Sequence, residues 1–170
     1  MKKYTIGMLV SNQFGVLTRI SGMFARRGFN IDSLVVGETE DSALSRMTIT
    51  MSGEDSDRDQ ILKQLEKLHD VYVAEEMIPE SIVSRELILI KVRCTPQTRS
   101  EILDAVSIFR TKIIDYTAES VCIEVTGETT KADAFIELMR SYGIIEMCRT
   151  GSVSLDRGAK CLDKNKNNNL

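Results

Sequence analysis

Residues 4–28 read Y-T-I-G-M-L-V-S-N-Q-F-G-V-L-T-R-I-S-G-M-F-A-R-R-G, and their periodicity changes once, in the middle. Tyr4, Ile6, Met8 and Val10 alternate with smaller or polar residues, the period-two pattern of a half-buried strand. From Val16 onward Leu17, Ile20, Met23 and Phe24 recur at helical spacing instead. Gly28 follows where a helix commonly ends on a left-handed residue. Between the two patterns lies S-N-Q-F-G-V-L (11–17), a strand-to-helix loop in a chain with few glycines and two prolines.

The rest of the first half continues in kind. Residues 30–38 and 47–52 read as strands, 71–77 as a fourth, and Ser56 or Asp57 is placed to cap a helix carrying Ile61, Leu62, Leu65 and Leu68. Pro79 and Ser81 mark a short link, after which the order repeats. R-E-L-I-L-I-K-V-R (85–93) is a strand, and Pro96 and Thr98 open a helix with Ile102, Leu103, Val106 and Phe109 inward. Residues 113–117 and 120–126 form a hairpin, a helix from Thr130 carries Phe135, Leu138 and Met139, and 144–154 closes as one strand. Each half spells β-α-β-β-α-β in about 75 residues, the split arrangement of ferredoxin-like units. The expected fold class is therefore α+β, two ferredoxin-like βαββαβ units in tandem, each an antiparallel sheet with its helices on one face. A unit this small leaves edges or a sheet face wanting cover, so self-association is expected.

Composition narrows the function. The chain is 42% hydrophobic and 28% charged, a globular balance. A net charge of -3 and a pI near 5.3 disfavour general phosphate-backbone binding. The N-terminal M-K-K-Y-T-I-G-M-L-V lacks the apolar length and cleavage site of a signal peptide, so a cytoplasmic protein is expected. Four cysteines without a C-x-x-C pair and a single histidine, His69, give no zinc site or disulfide framework. No nucleophile–base pair, P-loop or G-x-G-x-x-G presents itself. An RNA-binding ferredoxin-like module would carry aromatic strands, and aromatics are 5% here.

The loop at 11–17 remains. A strand-to-helix loop aims the free N–H groups of Gly15, Val16 and Leu17 at one point, and a helix N-terminus favours a carboxylate. Asn12 and Asn30, read as amides at the end of strand one and the start of a neighbouring strand two, could bind a small zwitterion. An Asx-turn at Asn12 and a plain turn glycine would account for the same residues, and both readings stand at this point.

N-Q-F-G-V-L-T-R-I-S-G-M-F-A-R-R-G-F-N-I (12–31) resembles the opening of an ACT domain, a ligand-sensing module of amino-acid metabolism. R-R-G-F-N-I-D-S-L-V-V-G-E-T-E (26–40) with L-S-R-M-T-I (44–49) resembles the small, regulatory subunit of acetolactate synthase. S-R-E-L-I-L-I-K-V, I-F-R-T-K-I-I-D-Y-T, I-E-V-T-G and D-A-F-I-E-L-M-R-S-Y-G-I-I-E-M-C-R-T-G extend the resemblance through the second half. It implies an ACT domain over 1–78, a C-terminal ferredoxin-like domain over 79–158 and a disordered polar tail over 159–170.

By the same resemblance the chain has no catalytic site and no cofactor of its own. Its partner is a large catalytic subunit carrying thiamine diphosphate, magnesium and FAD, which makes acetolactate from two pyruvates. The small subunit activates that enzyme and confers feedback inhibition by a branched-chain amino acid, usually valine. The implied effector site lies between two ACT domains of a homodimer or higher oligomer. It takes Asn12, Gly15, Val16 and Leu17 from one chain and Asn30 and Ile31 from the other. A free-standing amino-acid-binding regulator is the alternative from another class.

Overall fold

A computed structural model describes residues 2–164. Its backbone forms two compact units, one made of residues 2–84 together with 152–164, the other of Arg85–Gly151.

The first unit runs β1 (Lys2–Ser11), α1 (Val16–Arg26), β2 (Ser33–Glu38), β3 (Leu44–Gly53), α2 (Asp55–Leu65) and β4 (Val71–Glu76). The sheet order is β2-β3-β1-β4, antiparallel throughout. Tyr4, Ile6, Met8 and Val10 of β1 share a core with Ile20 and Phe24 of α1 and Ile61 and Leu65 of α2. Burying each such side chain contributes roughly 1.5–3 kcal/mol.

The helix ends follow local chemistry. Gly28 has φ 72°, its N–H donates to the Ala25 carbonyl and that of Phe29 to the Phe24 carbonyl, both at 3.1 Å. That pair of bonds is the Schellman stop expected of the glycine. The cap of α2 differs from the expected Ser56 or Asp57. Glu54 precedes the helix and closes a reciprocal box with Asp57, whose carboxylate accepts the Glu54 N–H at 2.9 Å. Asp57 is thus the third helical residue, not the cap.

The second unit runs β5 (Ile82–Arg93), α3 (Arg99–Ile108), β6 (Lys112–Tyr116), β7 (Ser120–Gly127), α4 (Thr129–Arg140) and β8 (Ile144–Arg149). Its order, β6-β7-β5-β8, repeats that of the first. Ile88, Ile90 and Val92 meet Val121, Ile123 and Val125 over Ile102, Phe135 and Met139, with Phe109 edge-on to Phe135 at 5.3 Å. Two expected core residues are exposed. α3 turns Ile102 and Ala105 inward, which rotates Leu103 out, and the Ala132–Phe135–Met139 stripe of α4 leaves Leu138 outside it.

The expected strand over 144–154 is two. Gly151, at φ 83°, breaks it, and β9 (Val153–Asp156) then pairs with β5. This moves the boundary expected after residue 78. Pro79–Ser81 is one short helical turn, and the division falls at Ser84/Arg85, part-way along β5. The Ser84, Ser152 and Ser154 hydroxyls hydrogen-bond beside the junction of β5 and β9. Residues 159–164 are not a disordered tail, because Leu162 is buried and Lys160 is ion-paired. The rest of that expected tail, 165–170, lies outside the described residues.

Two charged clusters anchor these elements. In the first unit the Tyr4 hydroxyl donates to Asp55 at 2.5 Å while Lys2 pairs with the same carboxylate at 3.0 Å. The hydrogen bond to Asp55, then burial, pushes Tyr4 up to about 12. The same bond, then Lys2, holds Asp55 below its ordinary range. In the second unit Glu86, 4% exposed, takes a forked pair of bonds from Arg149 at 2.6 and 3.2 Å, and Arg149 also reaches Asp133 at 2.9 Å.

The folded state holds the Tyr4 proton more tightly than the unfolded chain, where tyrosine titrates at its ordinary 10. Stability should therefore fall as the pH climbs from about 10 to about 12. Tyrosinate absorbance should show a late step near 12 that Tyr4→Phe removes. Arg149→Leu should strand the buried Glu86 carboxylate and cost about 3–5 kcal/mol in urea unfolding. Adding Glu86→Leu should recover much of that loss, a non-additivity that a double-mutant cycle reads directly.

Candidate functional site

The loop between β1 and α1 is built from both sides. Ser11 closes the β1–β3 ladder opposite Leu44, and the next N–H, of Asn12, donates to the Ala43 carbonyl at 2.8 Å. The Asn12 amide donates to the Ser42 carbonyl at 2.9 Å and to Glu38 at 3.3 Å. Asn12 therefore ties the loop to the turn between β2 and β3. Both bonds of its amide are made within this chain.

Gly15 precedes α1 with φ 83° and ψ -7°, a left-handed conformation that glycine adopts without strain. No side chain caps the helix, and no acidic residue occupies its first turn. The Val16 N–H leans on the Gln13 carbonyl at a long 3.4 Å, and the first in-helix bond runs from Arg19 to Gly15 at 3.0 Å. The Leu17 and Thr18 N–H groups thus belong to the set that a helix start leaves without intrahelical partners. α2 fills the same positions with Glu54 and Asp57.

The side chains of the expected set divide. Val16 is in the core, so it offers a ligand its backbone and not its isopropyl group. Leu17 is 42% exposed and Phe14 projects fully into solvent at the loop tip. Sequence reasoning passed over Arg19, one turn from Gly15. Its guanidinium would stand 3.4 Å from a β-carbon at Gly15, and it pairs with Asp70 at 2.6 Å. The i+4 spacing from the loop glycine was the available signal. The Arg19–Asp70 pair stands beside an electropositive helix end, the Asp70 carboxylate offsetting the guanidinium charge.

Asn30 and Ile31 lie elsewhere. β1 and β2 are not neighbours, since β3 runs between them. Asn12 hangs on Ala43, before the start of β3, whereas the Asp32 N–H hangs on Thr50, near its end. At the rise of an extended strand that separates them by about 20 Å. The Asn30 amide donates to Asp32 at 3.2 Å, and Ile31 packs against the core. The expectation that one chain presents both amides to one zwitterion is therefore corrected. A ligand touching both needs them from two chains.

Against known proteins, residues 6–73 match the family model of the AHAS small subunit-like ACT domain, and 85–158 that of the small subunit of acetolactate synthase. The chain belongs to the acetolactate synthase small-subunit family. It is 52% identical over 158 residues to the probable acetolactate synthase small subunit of Archaeoglobus fulgidus, covering 93% of this chain and 99% of that one. With the acetolactate synthase small subunit of Mycolicibacterium smegmatis it shares 48% identity over 92% of each chain. The crystal structure of the small subunit from Thermotoga maritima superposes with a TM-score of 0.85 at 42% identity, over 94% of this chain and 100% of that one.

Family membership makes this a regulatory subunit and implies a large catalytic subunit as its partner. The alternative of a free-standing regulator is set aside by the match across both units. Among the described residues no helix is long and apolar enough to cross a membrane, and no three His, Cys, Asp or Glu side chains gather where they could hold a metal ion.

Proposed function

We propose that this chain works in the cytoplasm as the feedback sensor of acetolactate synthase, raising the large subunit's activity and lowering it again when valine or another branched-chain amino acid binds. One observation carries the reading: the N-terminus of α1 is left without a cap or an acid, behind a left-handed Gly15 and beside Arg19. A carboxylate is the group such a helix end attracts, by about 0.3–1 kcal/mol exposed and up to about 2 when partly buried. The effector carboxylate meets the N–H groups at Gly15, Val16 and Leu17. Glu38, held beside Asn12, supplies an acceptor for its ammonium.

The effector site is completed by Asn30 and Ile31 of a second copy, so the working unit is a homodimer or larger. Two chains are required because one holds the halves about 20 Å apart. Thiamine diphosphate, magnesium and FAD sit on the large subunit, and this chain adds no reacting group. Inhibition needs the effector to favour one quaternary arrangement by about 1–3 kcal/mol.

The direct test mixes the chain with its large subunit, pyruvate, thiamine diphosphate, magnesium and FAD. Acetolactate formation should rise on adding this chain and fall again with valine, leucine or isoleucine. No response to any of the three would overturn the sensing role.

Gly15→Asp should abolish that response while activation survives and the melting temperature falls modestly, because a side chain at φ 83° is strained. A β-carbon at Gly15 meets only Arg19, at 3.4 and 3.9 Å, and aspartate tolerates positive φ better than most residues. Asn30→Ala should weaken binding by about 0.5–1.5 kcal/mol in calorimetric titration. Mixing Gly15→Asp with Asn30→Asp chains should restore about one wild-type site per mixed dimer. Mixed protein as insensitive as its parents would remove the two-chain site.

A further inference from the structure

The residues after β9 make contacts that the family match, which ends at residue 158, does not reach. Lys160 pairs with Asp156 at 3.0 Å and Glu75 at 3.5 Å. Leu162 is buried with Leu9, Leu44 and Val73. Leu9 alternates with Met8 and Val10, so this cluster lies on the sheet face opposite the helices. Gly7, on the same face, makes room: a β-carbon there would stand 3.4 Å from Leu162 and 2.5 Å from Met77. The segment then delivers Lys164 to within 3.5 Å of Asp41.

Asp41 belongs to the turn that holds Asn12. One of its carboxylate oxygens takes the Ala43 N–H at 3.0 Å, and the other faces Lys164. The Ala43 carbonyl in turn takes the Asn12 N–H, and the Ser42 carbonyl takes the Asn12 amide. Leu44, the next residue, is shared between the β1–β3 ladder and the Leu162 cluster. A continuous set of contacts therefore runs from Leu162 and Lys164 through residues 41–44 to the loop before α1.

We propose that residues 158–164 are a strap whose docking positions the effector loop, so that Leu162 and Lys164 set effector affinity without touching the effector. The proposal rests on the reading of residues 12–17 as the effector loop. The strap is poised, not locked. Beneath its root Arg46 donates from Nη2 to the Ser154 carbonyl at 2.9 Å, while its Nε is buried with no hydrogen-bond partner among the described residues. Burial pushes that guanidinium down from its ordinary value, and Asp156 and then Cys161 draw it back up. Lifting the strap would give Nε to water and expose Leu162, two opposed changes. Its surface ion pairs add little to either state.

Lys164→Glu keeps Leu162 and sets a second carboxylate beside Asp41, and Leu162→Ala removes the buried anchor. Two measurements are made on the full chain: amide exchange without effector, and valine affinity by calorimetry. Both variants should speed exchange at Asn12 and Ala43 while Phe24 and Ile61, in the core helices, keep their protection. Valine should bind about fivefold more weakly to Leu162→Ala, and by a smaller factor to Lys164→Glu, whose exposed ion pair contributes little. Leu162→Met, which keeps an apolar anchor of similar volume, should leave both near the values of the unaltered chain. Unchanged exchange at Asn12 and Ala43, or faster exchange with unchanged valine affinity, would overturn the strap's role. If the unaltered chain binds none of valine, leucine and isoleucine, the effector reading fails, and the exchange at Asn12 and Ala43 still decides whether the strap positions the loop.

Discussion

The ladder between β1 and β3 pairs ten residues without a break, from Lys2 opposite Gly53 to Ser11 opposite Leu44. Everything of functional interest in the first unit is set by its two ends. Ser11 and Leu44 close one end, and there the chain must leave the sheet and enter α1. A helix following an antiparallel strand runs back along it, so the N-terminus of α1 stays at that end and its C-terminus at the other. Gly28 stops α1 and returns the chain to β2 beyond the far end of the ladder. The same register that buries Ile6, Met8 and Val10 on one face also places Gly15 and Asn30 at opposite ends of one chain.

Under the proposed two-chain site, that separation is a physical reason for the subunit to act in pairs. The attraction between one helix end and one carboxylate is small and screened by salt. A site that draws its donors from one chain and its remaining contacts from another gains affinity only when two copies are apposed. Effector binding and the arrangement of the copies are then linked, and each shifts the other by the same free energy.

Much of the fold was legible because each signal had a local cause. Strand alternation at 4–10, the glycine stop at 28 and the repeated β-α-β-β-α-β order depend on neighbours in sequence. The misplacements depend on partners far along the chain. The cap of α2 is Glu54, a poorer cap in isolation than Ser56, because Asp57 answers it. Leu103 and Leu138 read as inward on their helices, and only the packed stripes of α3 and α4 show which side faces in. The two amides read as lying on strands adjacent in the sheet, whereas β3 intervenes. Leu162 was invisible for a related reason. One leucine among Asp, Lys and Asn carries no periodicity, and its pocket is formed by Leu9, Leu44 and Val73 more than eighty residues earlier.

Two separate cores on one chain also divide the consequences of change. The Tyr4 to Leu65 cluster belongs wholly to the first unit and the Ile88 to Met139 cluster wholly to the second. The loop before α1 touches the first core only through Val16, which is buried and whose side chain is held for packing. Leu17, Phe14 and the bare helix end face outward and are free to change with little cost to folding. Residues answering for stability and residues answering for recognition thus alternate along a few positions of one loop. Under the proposed effector site, substitutions at exposed loop positions would alter which amino acid is heeded, while Val16 and the β1–β3 ladder keep the helix end where it is.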